Sequence, residues 1–155
     1  MATPPAAGDA QLESEVQEDL MRLDAYRNQL NSMLQQFQIL SASRTEHLRA
    51  RESLEGVERT SGGAEMLLPL GGETYVRGSV DREAAVLIGI GSGIVVEMER
   101  PKASELLAQR LVRIDQAIRE TEGQMAALDD RIQALSRRLD QIARADAAGS
   151  HVGRN

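Results

Sequence analysis

Gly89-Ile90-Gly91-Ser92-Gly93 is the stretch of this sequence closest to a phosphate-cradling loop. Such a loop works by leading directly into a helix whose first amides face the pyrophosphate. Here it leads into Ile94-Val95-Val96-Glu97, an apolar run of strand character, and no G-x-x-x-x-G-K-S/T occurs anywhere. The glycines are therefore read as hairpin-turn residues. His47 lies mid-helix and His151 near the C-terminal end, without a second ligand at metal spacing. Zinc needs several converging His, Cys or carboxylate groups, so both histidines read as solvated or seam residues. Asp129 and Asp130 occupy adjacent helix positions and diverge; they serve solubility, not acid–base chemistry. No serine can be given both a base and a group to orient that base. The residues imply no enzyme, no cofactor and no metal site.

The totals exclude further classes. With a net charge of −6 and a pI near 5.0, the chain lacks the clustered cations that bind phosphate backbones. One lysine, Lys102, stands against seventeen arginines spread along the sequence. Aromatic residues make up 2% (Phe37, Tyr26 and Tyr75), too few for a large globular core but enough for a coiled coil. There is no cysteine, hence no disulfide framework. The first residues, MATPPAAGDAQ, lack a basic start and an apolar run, so no signal peptide is expected. No run approaches the roughly 18 apolar residues of a membrane span. The expectation is a soluble, cytoplasmic protein with neither nucleic acid nor membrane as partner.

The elements that would position these residues are long. Residues 1–10 read as a disordered lead, with Asp9 a plausible N-cap. Residues 11–58 carry no proline, and a heptad places Val16, Leu23, Leu30, Phe37, Arg44 and Arg51 at a. Asp19, Tyr26, Met33, Leu40, His47 and Leu54 fall at d, so the seam is cleanly apolar from Leu23 to Leu40. Between Arg44 and Arg51 it turns polar and Leu48 falls out of phase, which a stutter or a wet seam accounts for. Thr60-Ser61-Gly62-Gly63 ends the helix. Four strands follow within residues 64–98, at about 65–70, 74–80, 84–90 and 94–98, with Pro69 confining the first to an edge. Gly71-Gly72 and Gly91-Ser92-Gly93 supply the hairpin turns. Pro101 and Ser104 open a second helix over 103–147, whose seam runs through Leu107, Leu111, Ile114, Ile118, Thr121, Met125, Leu128, Ile132, Leu135, Leu139 and Ile142. Residues 148–155 read as a flexible tail. Two helices of equal length, each about 65–70 Å, joined at their inner ends by two hairpins, predict an antiparallel α+β coiled-coil hairpin with both termini at one tip.

Two surfaces then stand out. Val86-Leu87-Ile88 and Ile94-Val95-Val96 are apolar without alternation, a pattern that wants both strand faces covered. Some thirty-five residues cannot supply that cover, so it must come from the helices or from other subunits. The helices already spend their apolar stripe on each other, so Val86, Ile88, Ile90, Ile94 and Val96 are expected to carry subunit assembly. At the tip, Leu12, Val16, Leu20 and Met21 gather with Leu135, Leu139 and Ile142. That cluster is read either as a binding surface or as the last heptads of the seam.

Long helix, paired hairpins, long helix resembles the alpha class of prefoldin subunits. The similarity is carried by Leu67-Leu68-Pro69-Leu70-Gly71, by Tyr75-Val76-Arg77-Gly78, and by the run from Val86 through Gly89-Ile90-Gly91 to Val96-Glu97. The resemblance covers residues 11–147, and the two hairpins point to alpha because the beta class carries one. It implies a hexamer of two alpha and four beta subunits whose hairpins form an inter-subunit β-barrel. It also implies ATP-independent capture of non-native client proteins between the tips, followed by hand-off to a group II chaperonin. Leu12, Val16, Leu20, Met21, Leu135, Leu139 and Ile142 would then be client-binding. The 44–51 stretch and both tails match nothing in the family pattern. The rival readings are a coiled-coil scaffold docking one fixed native partner, and an enzyme using the glycine loop, which would have to bind nucleotide.

Overall fold

A computed structural model describes residues 7–60, 62–81 and 83–152. The order is α1 (Ala7–Glu58), β1 (Ala64–Gly71), β2 (Thr74–Val80), β3 (Val86–Gly91), β4 (Ile94–Met98) and α2 (Arg100–Val152). Both helices outrun the sequence expectation. α1 starts at Ala7, so Asp9 lies inside it and is not its cap, and residues 1–6 of the expected lead lie outside the described residues. α2 starts at Arg100, and its first turn is closed by the Ala103 amide donating to the Glu99 carbonyl at 3.0 Å. Pro101 is thereby its second residue, where its missing N–H costs nothing. The expected tail from residue 148 continues the helix to Val152; residues 153–155 lie outside the described part.

The strands form two separate two-stranded antiparallel sheets, β1–β2 and β3–β4. β1 has β2 as its partner, so Pro69 sits in an edge strand, where a missing donor is tolerated. The two ribbons are closed by the same device. Gly72 and Glu73 have φ of 56° and 58°, and Ser92 and Gly93 have 52° and 75°, the paired positive values of a type I′ turn. Before each turn a glycine at strongly positive φ, Gly71 at 97° and Gly91 at 110°, accompanies a register shift. The shift leaves Leu70 and Ile90 without a cross-strand partner, a bulge one residue wide. The first turn thus lies one residue later than Gly71-Gly72, and a glutamate occupies one of its left-handed positions.

Cα packing divides the chain into two units: Ile39–Ile118, and the parts of the chain before and after it. In the unit holding the ribbons, Val57, Ala103, Leu107 and Leu111 are buried. Arg44 Nε donates to Asp115 Oδ1 at 2.5 Å across its two helical segments. This explains how the seam tolerates an arginine at an a position. His47, half-buried, has Nδ1 2.7 Å from the Ser43 carbonyl one turn back, and Leu48 beside it is half-buried too. In the other unit Leu23, Met33 and Leu128 form the buried seam, with Asp19 and Thr121 as buried polar members.

A contrast between two glycines tests the ribbon geometry. Gly91→Ala forces an alanine to φ 110° and should lower the chain's unfolding free energy by about 1–3 kcal/mol in urea titration. At Gly89, where an added Cβ meets nothing within 4 Å, the same change should be within about 0.5 kcal/mol of neutral.

Candidate assembly and client surfaces

The β3–β4 ladder pairs Val86 with Met98 and Ile88 with Val96 on one face, and Leu87 with Glu97 and Gly89 with Val95 on the other. The first face is covered by the chain's own unit. Ile88 is 7% exposed, and Val86, Val96 and Met98 are half-buried. The second face has no cover, with Leu87 71% and Val95 59% exposed. Ile90 and Ile94, beside the turn, are also exposed. The residues expected to carry assembly therefore divide. Ile88, with Val86 and Val96, anchors the ribbon to its own chain, while Ile90 and Ile94 are open. The exposure of Leu87 and Val95 was not foreseen, because an apolar run without alternation does not say which phase is covered.

The β1–β2 ribbon exposes apolar groups on both faces. Leu68 and Val76 pair on one side, and Leu67 with Arg77 and Pro69 with Tyr75 on the other; Leu67, Leu68, Leu70, Tyr75 and Val76 are all exposed. Glycine at 78 admits the Leu68 side chain, whose Cδ1 would lie 2.7 Å from any Cβ there. Each exposed leucine or valine forgoes part of the roughly 1.5–3 kcal/mol that full burial gives, so these ribbons are poor final states for an isolated chain.

Two arginines of α2 tie the ribbons to the helix. Arg110 Nη2 donates to the Gly89 carbonyl at 2.6 Å. Arg100, 6% exposed, donates from Nη2 to the Asp81 carbonyl at 2.9 Å and to that of Ala84 at 3.4 Å, on the segment between the ribbons. That segment also holds itself: the Ala84 amide donates to Asp81 O, and the Glu83 amide to Asp81 Oδ1. Neither arginine was singled out in the sequence, because among seventeen spread along the chain spacing does not reveal which reach a carbonyl.

In the other unit, Leu12, Leu20 and Met21 of α1 are exposed, while Val16 of α1 and Leu135, Leu139 and Ile142 of α2 are half-buried. The apolar surface at these helix ends is thus mainly α1's, and the α2 residues behave as seam. An open hollow of about 280 Å³ is lined by Leu12, Glu13, Val16, Gln17 and Asp146. Next to Leu20 and Met21 in the sequence, Asp19 is 3% exposed. Arg138 of α2 holds it, with Nη1 3.2 Å from Asp19 Oδ2 in an ion pair not aligned as a hydrogen bond. Its Nη2 donates to Glu15 Oε2 at 2.9 Å. Arg22 Nη1 lies 3.9 Å from the other Asp19 oxygen. Without such pairing a buried carboxylate costs about 3–5 kcal/mol.

Among the described residues no cluster of three or more His, Asp or Glu side chains is placed to hold a metal, and no helix is long and apolar enough to cross a membrane. The family model "Prefoldin subunit" matches residues 26–145. The chain belongs to the prefoldin family. Several relatives carry the alpha designation: prefoldin subunit alpha of Methanocorpusculum labreanum is 30% identical over 86% of this chain and 90% of that protein. Prefoldin subunit alpha of Pyrococcus horikoshii is 26% identical over the same shares. A chain from the cryo-EM structure of filamentous PFD from Methanocaldococcus jannaschii superposes with a TM-score of 0.62 at 20% identity. That match covers 76% of this chain and 97% of the other, and it supports the fold. Prefoldins are non-enzymatic chaperones, so the glycine loop is a turn and nothing more, and the chain is a prefoldin chaperone subunit built as two long helices around two hairpins.

The two ribbon faces make opposite predictions. Leu87→Glu with Val95→Glu should leave helical content and thermal midpoint of the chain unchanged and abolish co-purification with a partner prefoldin subunit. Ile88→Glu should lower the midpoint of the chain itself, by about 3 kcal/mol of stability or more, because it buries a carboxylate.

Proposed function

We propose that this chain is an alpha-type subunit of a cytoplasmic prefoldin hexamer, two alpha with four beta, that holds non-native proteins without nucleotide and passes them to a group II chaperonin. The observation carrying the reading is the pair of ribbons with apolar residues exposed on faces their own chain leaves open. Leu87, Val95, Leu67 and Tyr75 are groups that another subunit's strands would cover, and completing a barrel removes open edges as well as open faces. The working domain on this reading spans residues 11–147.

Client contact falls to the helix ends, to Leu12, Leu20 and Met21 first, with Val16, Leu135, Leu139 and Ile142 supporting. The chemistry suits a client that is unfolded rather than one fixed native partner. Unbranched methionine adapts to varied shapes, and single exposed apolar groups bind any apolar segment weakly. Each contributes about 1–2 kcal/mol, and several subunits around one client raise the effective concentration of the next contact.

Co-expression with a beta-type prefoldin, mass measurement, and suppression of aggregation of a heat-unfolded model enzyme form the test. Leu12→Gln, Leu20→Gln and Met21→Gln together should leave the hexamer mass unchanged and weaken suppression by about tenfold or more, from losses of about 1.4 kcal/mol per decade. Unchanged suppression by an intact hexamer rules out the helix ends as the client surface. Saturable binding to one native protein, with no effect on unfolded ones, rules in the scaffold.

A further inference from the structure

Leu12, Val16, Leu20 and Leu23 follow one another at spacings of four, four and three. That is an unbroken apolar stripe, and burial alone would choose it as the seam of α1. The structure makes another choice. Asp19 lies in the seam and is 3% exposed, while Leu20, about 100° further round the helix, stands 50% exposed with Met21 beside it at 66%. A carboxylate has taken the place of a leucine that was available one position away.

We infer that Arg138 sets the rotation of the first turns of α1 about their own axis, and that this rotation is what keeps Leu20 and Met21 facing outward. The inference rests on the reading of those two residues as client contacts. Arg138 is a positioning residue, acting through Asp19 and Glu15. Its two terminal nitrogens engage carboxylates one helical turn apart, on Glu15 and on Asp19. One contact would let α1 pivot, whereas two spaced along the axis on the same face do not. Guanidinium is suited to this because its fork is planar, always charged and pre-organised. The arginine side chain is itself 50% exposed, so its own charge keeps water while it neutralises a buried partner. With Arg138 present the carboxylate is tolerated in the seam; without it, keeping Asp19 buried costs more than turning Leu20 inward, and the apolar pattern prevails.

The chain contains no cysteine and one exposed methionine in this stretch, and hydroxyl-radical labelling read by mass spectrometry reports each side chain's access to water. In the full-length chain assembled with a beta-type prefoldin, Arg138→Gln should release Asp19 to solvent and draw Leu20 inward. Labelling of Leu20 should fall several-fold, toward that of buried Leu23, and client capture should weaken with it. Adding Asp19→Leu to Arg138→Gln should restore both, since a leucine at 19 fills the seam in the original rotation. Leu20 labelling that stays unchanged in Arg138→Gln overturns the inference. So does a uniform rise across Leu12, Val16, Leu20 and Met21, which marks a simple staple, and so does a double variant that fails to restore Leu20. If labelling shifts as expected while client capture does not move, the rotation stands and the client reading of Leu20 and Met21 falls.

Discussion

A two-stranded ribbon has two faces, and this chain covers only part of what its ribbons offer. At β3–β4 the covered face is that of Ile88, and the face of Leu87 and Val95 is left bare. Everything around the ribbons serves to hold them in that half-finished condition. Arg110 fixes the Gly89 carbonyl, and Arg100 fixes the carbonyls of the segment between the ribbons. The paired type I′ turns match the natural strand twist, and the bulges at Leu70 and Ile90 bend each ribbon just before its turn. A ribbon pair this exposed would be a hazard on a monomeric protein. On the function proposed above it is where another subunit would dock.

Much of this was legible in the residues. The heptad from Leu23 to Leu40 predicts α1's seam, and the buried Leu23 and Met33 lie where it puts them. The glycine pairs predict two hairpins. The failures have separate physical causes. The first turn lies one residue later than expected because Glu73 accepts φ 58°, a conformation that turn rules assign to glycine or asparagine. Which ribbon face the chain leaves open was not legible because Val86-Leu87-Ile88 is apolar at every position. The helix starts were set too far inward because Asp9 was taken as the cap of α1, and Pro101 with Ser104 as the opening of α2, whereas the helices begin at Ala7 and Arg100.

The arginine contacts were the least legible feature of all. An arginine side chain reaches its partner through several rotatable bonds, so neither heptad position nor sequence separation predicts which carboxylate or carbonyl it meets. Extending the heptad back from Leu23 does place Asp19 in the seam. Nothing in the spacing says that a residue 119 positions later neutralises it. The polar stretch at 44–51 is similar: nothing in the spacing says that Arg44 meets Asp115 there.

These charged contacts also work like a vernier scale for the helices. Arg44 meets Asp115 in one unit, and Asp19 meets Arg138 in the other. Suppose α2 slid past α1 by seven residues, a displacement that a repeating greasy stripe barely resists. Sliding one way would give Arg44 a new acid, Glu122, but set Asp19 against Ala145. Sliding the other way would give Asp19 a new base, Arg131, but set Arg44 against Ala108. Each pair therefore guards its own unit against a one-heptad slip in one direction.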